Sequence, residues 1–276
     1  MVIDAHQHFW KYHPQKHAWI NDEMAVLKRD FLPPDLEPLY REHGIDGCVA
    51  VQAEQSEAET EFLLALAEQF DFIRGVVGWV DLRAKNIESR LAYYSRFDKL
   101  KGFRHIVQDE PGPGFMLQPE FLRGLGLLHR YGFTYDILIY PTQLDAALKV
   151  VERFPEQRFV VDHIAKPYIK AGGGMEQWAA YMKAIGSHAN TYCKVSGLVT
   201  EADWRHWKAE DIFPFLDVVF EAFRPGRLMF GSDWPVCLLA ASYGQVKGIL
   251  EQYTEALSGP EKIAVWGGSA AAFYGL

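Results

Sequence analysis

Met1-Val2-Ile3-Asp4-Ala5-His6-Gln7-His8 opens the chain, and Gly231-Ser232-Asp233-Trp234-Pro235 stands near its other end. The apolar run from Val2 to Ala5 reads as a strand. Side chains on a strand repeat every two residues, so His6 and His8 project to one side at its end. Two imidazoles then share a small volume, which is half of a metal site. Whether a third histidine and a carboxylate join them depends on the fold.

Working outward, seven more apolar runs follow: Gly47 to Gln52, Phe72 to Val80, Leu100 to His105, Phe133 to Ile139, Arg158 to His163, Thr191 to Ser196 and Arg227 to Asp233. Helical patterns lie between them. Asp35 to His43 stops at Gly44, and Ser56 with Glu59 makes a capping box ahead of Phe62, Leu66 and Phe70. Ile87, Leu91 and Tyr94 share a face, and Pro119 to Gly132 is bounded by residues suited to a helix start and stop. Thr142 caps a helix carrying Leu144, Leu148 and Val151; others are expected over Met175 to His188, Ile212 to Phe223 and Tyr243 to Leu257, with a helical tail from Glu261.

Strands that are apolar along their length and alternate with helices are parallel strands buried on both faces. Eight of them predict an α/β fold: a single (β/α)8 or TIM barrel over residues 1–276, with its active site at the C-terminal ends of the strands. A doubly wound open sheet is the alternative. It usually has fewer strands and often a glycine-rich phosphate turn after the first, which His6-Gln7-His8-Phe9-Trp10 is not. The polar and aromatic stretch from Phe9 to Pro34 is too long for a simple turn and is expected to serve function.

The 276 residues, 49% hydrophobic, can fill one large core and sit near the roughly 250 residues typical of a single barrel. A net charge of -8 without any Lys/Arg run argues against nucleic acid and against anionic membranes, and favours a small, weakly charged substrate. Cys48, Cys193 and Cys237 are scattered, the usage of a reducing compartment. No apolar run reaches about 18 residues, and a strand starting at the second or third residue leaves no room for a signal peptide. A cytoplasmic protein is expected. Its oligomeric state is left open, a homo-oligomer included.

In a barrel the residues that close the strands gather at one face whatever their separation in sequence. Here they are His6, His8, Gln52, Asp81, Arg104, His105, Asp136, His163, Lys194, Ser196 and Asp233. Four of the chain's 10 histidines end strands, although acidic residues number 36. Three of these histidines and an aspartate would make a ligand and base set for a catalytic divalent metal, with zinc expected first and a position left for water. Several of the other residues read in two ways. Arg104 either faces substrate or forms a structural pair with Asp81 or Asp136. Lys194 either contacts substrate or satisfies carboxylates inside the barrel. Trp10, Trp79 and Trp234 either stack on a sugar ring or fill the core. Gln52 and Asp81 are further candidates for substrate binding, while His17, His129 and His206 are expected to face solvent.

At this point the sequence resembles the amidohydrolase superfamily, within it the branch of sugar and aromatic lactonases. The likeness rests on Val2 to Trp10, Leu100 to His105, Val161 to Pro167, Lys194 to Leu198 and Phe230 to Pro235, and so spans the chain. It implies metal positions at His6, His8, His163 and Asp233, and substrate-anchoring positions at Arg104 and His105. No lysine that could be carboxylated to bridge two metals ends the fourth strand, so at most one metal is implied, and some members of the branch work without it. The implied reaction is opening of a sugar lactone, of an aldonic or deoxy sugar, to the free acid. Asp233 accepts the proton of the attacking water and passes it to the ring oxygen, and His163 is a further catalytic candidate. The metal, or Arg104 with His105, stabilises the oxyanion. An aromatic lactone hydrolase or a decarboxylase is the alternative; either needs a cationic pocket, for which Lys101, Arg104 and Lys166 are available. A non-catalytic ligand-binding barrel would not need the His/Asp set.

Overall fold

The computed structural model describes residues 1–276. Its eight strands, β1 (Ile3–Gln7), β2 (Gly47–Val51), β3 (Ile73–Gly78), β4 (Leu100–Ile106), β5 (Thr134–Leu138), β6 (Phe159–Val161), β7 (Thr191–Val195) and β8 (Leu228–Phe230), lie side by side in chain order. Neighbours from β1 to β8 are parallel throughout. The sheet closes on itself just beyond β8, where Asp233 N donates to His6 O over 2.8 Å and His8 N donates to Trp234 O over 2.7 Å. The expected (β/α)8 barrel is therefore the observed one.

The strands are shorter than the apolar runs at their C-terminal ends. The run ending at His163 is strand only to Val161, because His163 to Lys166 turn into left-handed backbone and leave the ladder. Helices Pro33–His43, Glu57–Gln69, Ile87–Tyr94, Pro119–Leu128, Leu144–Arg153, Met175–Gly186, Ala209–Phe223 and Tyr243–Tyr253 cover the outside. None is long and apolar enough to cross a membrane.

Two cores result. The larger lies between sheet and helices; the smaller fills the barrel floor with Ile3, Ala5, Val49, Val51, Val77, Val160 and Met229, sealed by Ala270, Phe273 and Tyr274. Those last three belong to the terminal helix Ser269–Tyr274, which plugs the N-terminal end of the barrel. Burial of the Phe273 side chain in this plug contributes about 1.5–3 kcal/mol.

One irregularity positions the site. The β1–β2 register shifts between Asp4 and Gln7. Strict alternation would send Asp4 and His6 the same way. Instead Asp4 faces the helix layer, where Tyr40 and Tyr243 donate their hydroxyls to its carboxylate at 3.0 and 3.2 Å, while Ala5 joins the inner core and His6 turns into the barrel. A bulge that re-aims a side chain in this way is common beside functional sites.

Candidate active site

His6, His8, His163 and Asp233 meet at the barrel mouth. The Nε2 atoms of the three histidines lie 3.9, 3.4 and 3.8 Å from one oxygen, Asp233 Oδ1. Each ring is oriented from behind. His8 Nδ1 is 2.8 Å from Val51 O, His163 Nδ1 is 2.9 Å from Ser196 Oγ, and His6 Nδ1 is 3.3 Å from Asp162 Oδ1. At His8 the partner is a carbonyl, which only accepts, so the neutral ring carries its proton on Nδ1 and leaves the Nε2 lone pair free, as suits a metal-binding histidine. Two glycines make room for these rings: a Cβ on Gly197 (φ +64°) would fall 2.6 Å from His163 Nδ1, and one on Gly231 would fall 2.7 Å from His6 Cβ.

Burial drives His6 and His163 strongly toward the neutral form. For Asp233 burial acts the other way, but His163 and the hydrogen bond with His8 outweigh it and hold the carboxyl below the usual carboxylate range. His6 and His163 thus present neutral imidazoles beside an ionised carboxylate, and two groups that share His6, namely His6, His8 and Asp233, and His6, Asp162 and His163, each offer donors suited to a divalent metal. On His6 that fit is contested, because Arg104 Nη1 stands 3.2 Å from His6 Nε2.

Below the histidines runs a fully buried charge network. Lys194 Nζ lies 2.5 Å from Asp136 Oδ2, 3.1 Å from Asp162 Oδ1 and 3.2 Å from His6 Nδ1. Tyr274 donates its hydroxyl to the same Asp136 oxygen at 2.8 Å, linking the terminal plug to the site. Lys194 is 0% exposed, so the interior reading of this residue is the one the geometry gives. Arg104 pairs with Asp162 at 3.0 Å, not with Asp81 or Asp136, and its Nη2 donates to Gln52 O.

Above the cluster opens a cavity of about 370 Å³. His8, Arg104, His163 and Asp233 are in its wall. Trp10, Trp19 and Met24, from the long segment after β1, make one apolar side together with Val236 and Leu239. Tyr140, Lys166, Glu201 and Trp204 line the cavity as well, residues not singled out as site candidates from the sequence apart from the open role of Lys166. Among them, Lys166 belongs to the Val161 to Pro167 stretch that also holds His163.

Several expected site residues stand elsewhere. Arg104 and His105 are consecutive on a strand and so point to opposite faces. His105 packs outward against Phe115, with rings 4.9 Å apart, accepts from Trp79 Nε1 at 3.3 Å and lies 2.6 Å from Glu110 Oε1. Trp79 is thereby engaged outside the cavity too, and half-buried Asp81 pairs with Arg83 at 3.3 Å. Trp234 is core, edge-on to Phe9 and Phe31. Gln52 is buried beneath the cavity and donates to Arg104 O at 3.1 Å. Lys101 reaches Gly275 O at the far end of the barrel. His17 is 2% exposed rather than solvent-facing, stacked on Tyr12.

Comparison with known proteins agrees with this geometry. Residues 3–276 match the family model described as Amidohydrolase. The chain is 43% identical over 284 residues to an L-fucono-1,5-lactonase of Burkholderia multivorans, covering 99% of this chain and 96% of that one. It is 36% identical over 276 residues to an L-fucono-1,5-lactonase of Burkholderia ambifaria, covering 99% and 94%. A crystal structure of an amidohydrolase from Burkholderia multivorans with bound Zn superposes with a TM-score of 0.96 at 43% identity, covering 100% and 99% of the two chains. Barrel, histidine cluster and whole-length similarity together make this chain a member of the amidohydrolase family.

Proposed function

We propose that the chain, acting as one catalytic domain, hydrolyses a sugar lactone to the free sugar acid, with a deoxy-sugar lactone such as L-fucono-1,5-lactone as the leading substrate. The observation that carries this reading is the convergence of three imidazoles on the Asp233 carboxylate at the base of a cavity with one apolar side. Asp233, ionised, takes a proton from water; the water oxygen attacks the lactone carbonyl carbon; the ring C–O bond then breaks and its oxygen takes the proton back from Asp233. His163, set in place by Ser196, orients that water. The apolar side formed by Trp10, Trp19 and Met24 suits the face and methyl group of a deoxy sugar.

One divalent ion, zinc first, is proposed on His6, His8, His163 and Asp233. When bound it supplies Lewis-acid polarisation and a more acidic water. A neutral substrate is favoured over a carboxylated one because Arg104 is committed to Asp162 at 3.0 Å, and the acids Asp109, Glu201 and Asp233 in the cavity wall outnumber the one remaining cation, Lys166. This sets the decarboxylase reading second. Unpaired, buried cysteines fit a cytoplasmic enzyme. The test is a panel of aldonolactones and aromatic lactones followed with a pH indicator, before and after chelator treatment. Turnover of an aromatic dicarboxylate in preference to every sugar lactone would reverse the order of the two readings.

A further inference from the structure

Two cations line the cavity, and they are committed to different degrees. Arg104 Nη1 donates to Asp162 at 3.0 Å and meets His6 at 3.2 Å, and Nη2 is held by the Gln52 carbonyl. Lys166 has one acidic partner, Glu201 Oε1 at 3.5 Å, well beyond the roughly 2.7–2.9 Å of a tight charged hydrogen bond. The ring of Tyr140 lies 5.4 Å from its Nζ.

The backbone holds Lys166 in place at a conformational cost. His163, Ile164, Ala165 and Lys166 all adopt left-handed conformations, with φ of 53°, 46°, 58° and 48°. One such non-glycine residue is uncommon, and a run that includes the β-branched Ile164 persists only where its surroundings over-determine it. Here Lys166 N donates to His163 O at 2.8 Å, and buried Trp178 donates its indole N–H to Ile164 O at 2.9 Å. The consequence is that both ends of this single turn, His163 and Lys166, line the cavity. A right-handed continuation would not carry the chain through these positions.

We propose that Lys166 is a further catalytic residue, whose ammonium leaves Glu201 to donate a hydrogen bond to the lactone carbonyl oxygen as it becomes an oxyanion. The inference rests on the lactonase reading. Water oxygen bonds to the carbonyl carbon while Asp233 accepts the water proton, and the C=O π pair moves onto the oxygen facing Lys166. Collapse reforms the carbonyl, breaks the bond to the ring oxygen and returns the proton from Asp233 to that oxygen. The product hydroxy acid then ionises, and its carboxylate occupies the place of the oxyanion against Lys166. Lactone and water are consumed and a hydroxy acid is formed, without another reactant. A cation loosely paired at rest is suited to this role, because its interaction strengthens only when negative charge develops.

The test exploits the cysteines. Cys48, Cys193 and Cys237 are all buried and unpaired, so a thiol introduced in the cavity wall by Lys166→Cys is the accessible one. Lys166→Cys should lower kcat by at least about a hundredfold, the scale of losing one oxyanion donor, with an unchanged thermal midpoint. Aminoethylation with bromoethylamine, verified by mass, rebuilds a side chain of lysine length and should restore kcat to within about tenfold of native. Lys166→Met should match the loss, and the inhibition constant of the product hydroxy acid should rise at least about tenfold in both unmodified variants. Near-native kcat in Lys166→Cys and Lys166→Met, or no recovery after complete aminoethylation, overturns the proposal. A native enzyme that turns over no lactone overturns the lactonase reading first, so the two failures are told apart.

Discussion

The amide of Asp233 donates to the carbonyl of His6 over 2.8 Å, and the side chains of the same two residues face each other at 3.9 Å across the barrel mouth. The seam of the barrel and the centre of the site are therefore one structure. Closing the sheet brings residues 227 positions apart in sequence together without a flexible loop, since both emerge from strand ends.

Gly231→Ala tests this coupling. The added Cβ would sit 2.7 Å from His6 Cβ and 3.0 Å from Ser196 Cβ, atoms fixed to neighbouring strands that cannot swing away. Overpacking of this kind costs about 1–3 kcal/mol, visible in the denaturant midpoint. Activity should fall by more than the fraction unfolded accounts for, because His6 moves. Unchanged midpoint and unchanged kcat/KM would show that the seam relaxes freely.

Beneath the seam, Lys194 compensates Asp136 and Asp162 with no contribution from solvent. Removing one partner from such a network leaves buried charge uncompensated, so Lys194→Met should destabilise by about 3–5 kcal/mol. Pairing it with Asp136→Asn should recover part of that loss. A double variant no more stable than the single one would place the cost in packing rather than charge.

The fold was legible because eight apolar runs alternate with capped helices, a pattern with few solutions. Convergence of strand ends in a barrel narrowed the site to a set that holds His6, His8, His163 and Asp233, and the resemblance to a family singled out those four. What the sequence concealed is orientation. His105 follows Arg104 on one strand and must face away from it, yet a strand-end tally counts both. The β1 bulge that separates Asp4 from His6, and the left-handed turn that carries Lys166 into the cavity, are backbone departures from regular periodicity and leave no periodic signal. Lys194 and Trp234 were readable only as alternatives, since burial inside the barrel and exposure to its cavity differ by one layer of side chains.

Glu59, which accepts from the amide of the cavity-wall residue Ala53, offers a pH signature in stability. Burial, opposed by the Ala53 amide and reinforced by Glu54, raises its carboxyl from 4.5 to about 7. The folded state thus binds this proton more tightly than the unfolded chain. Its contribution to stability is intact below pH 4.5 and is lost as pH rises through about 7. The loss approaches about 3 kcal/mol at full ionisation. Glu59→Gln keeps an acceptor for Ala53 N, so it should match the native protein near pH 4 and exceed it at pH 8 in thermal or urea unfolding. Equal stability at both pH values would mean that Glu59 is solvated in solution.

Arg104 bears on metal affinity as well as on substrate. Its Nη1 stands 3.2 Å from His6 Nε2, the nitrogen a metal on this cluster would use, so binding there requires the guanidinium to withdraw. Arg104→Gln removes a positive charge from that position while Lys194 continues to pair with Asp162. Calorimetric titration of chelator-treated protein with zinc should show affinity at least about tenfold higher in the variant, like charges at this range repelling strongly even in a screened interior. Equal affinities would mean that Arg104 swings clear without cost.

Asp233 is the residue on which the hydrolytic mechanism depends most. It lies in left-handed backbone at φ +57°, its amide is fixed to His6, and its carboxylate is 3.4 Å from His8 and 3.8 Å from His163. Asparagine keeps the shape, tolerates a left-handed backbone and removes the base. Asp233→Asn should lower kcat on the lactone substrate by at least about a hundredfold, the low end for loss of a general acid-base group, with the fold intact by circular dichroism. The native carboxyl is held below the ordinary aspartate value of 3.8, so native activity should persist into acid and decline only below that pH. The acid limb should be absent from the residual activity of the variant. Near-native turnover by Asp233→Asn would remove the base from the mechanism, and proton transfer would then have to be sought among the histidines that surround it.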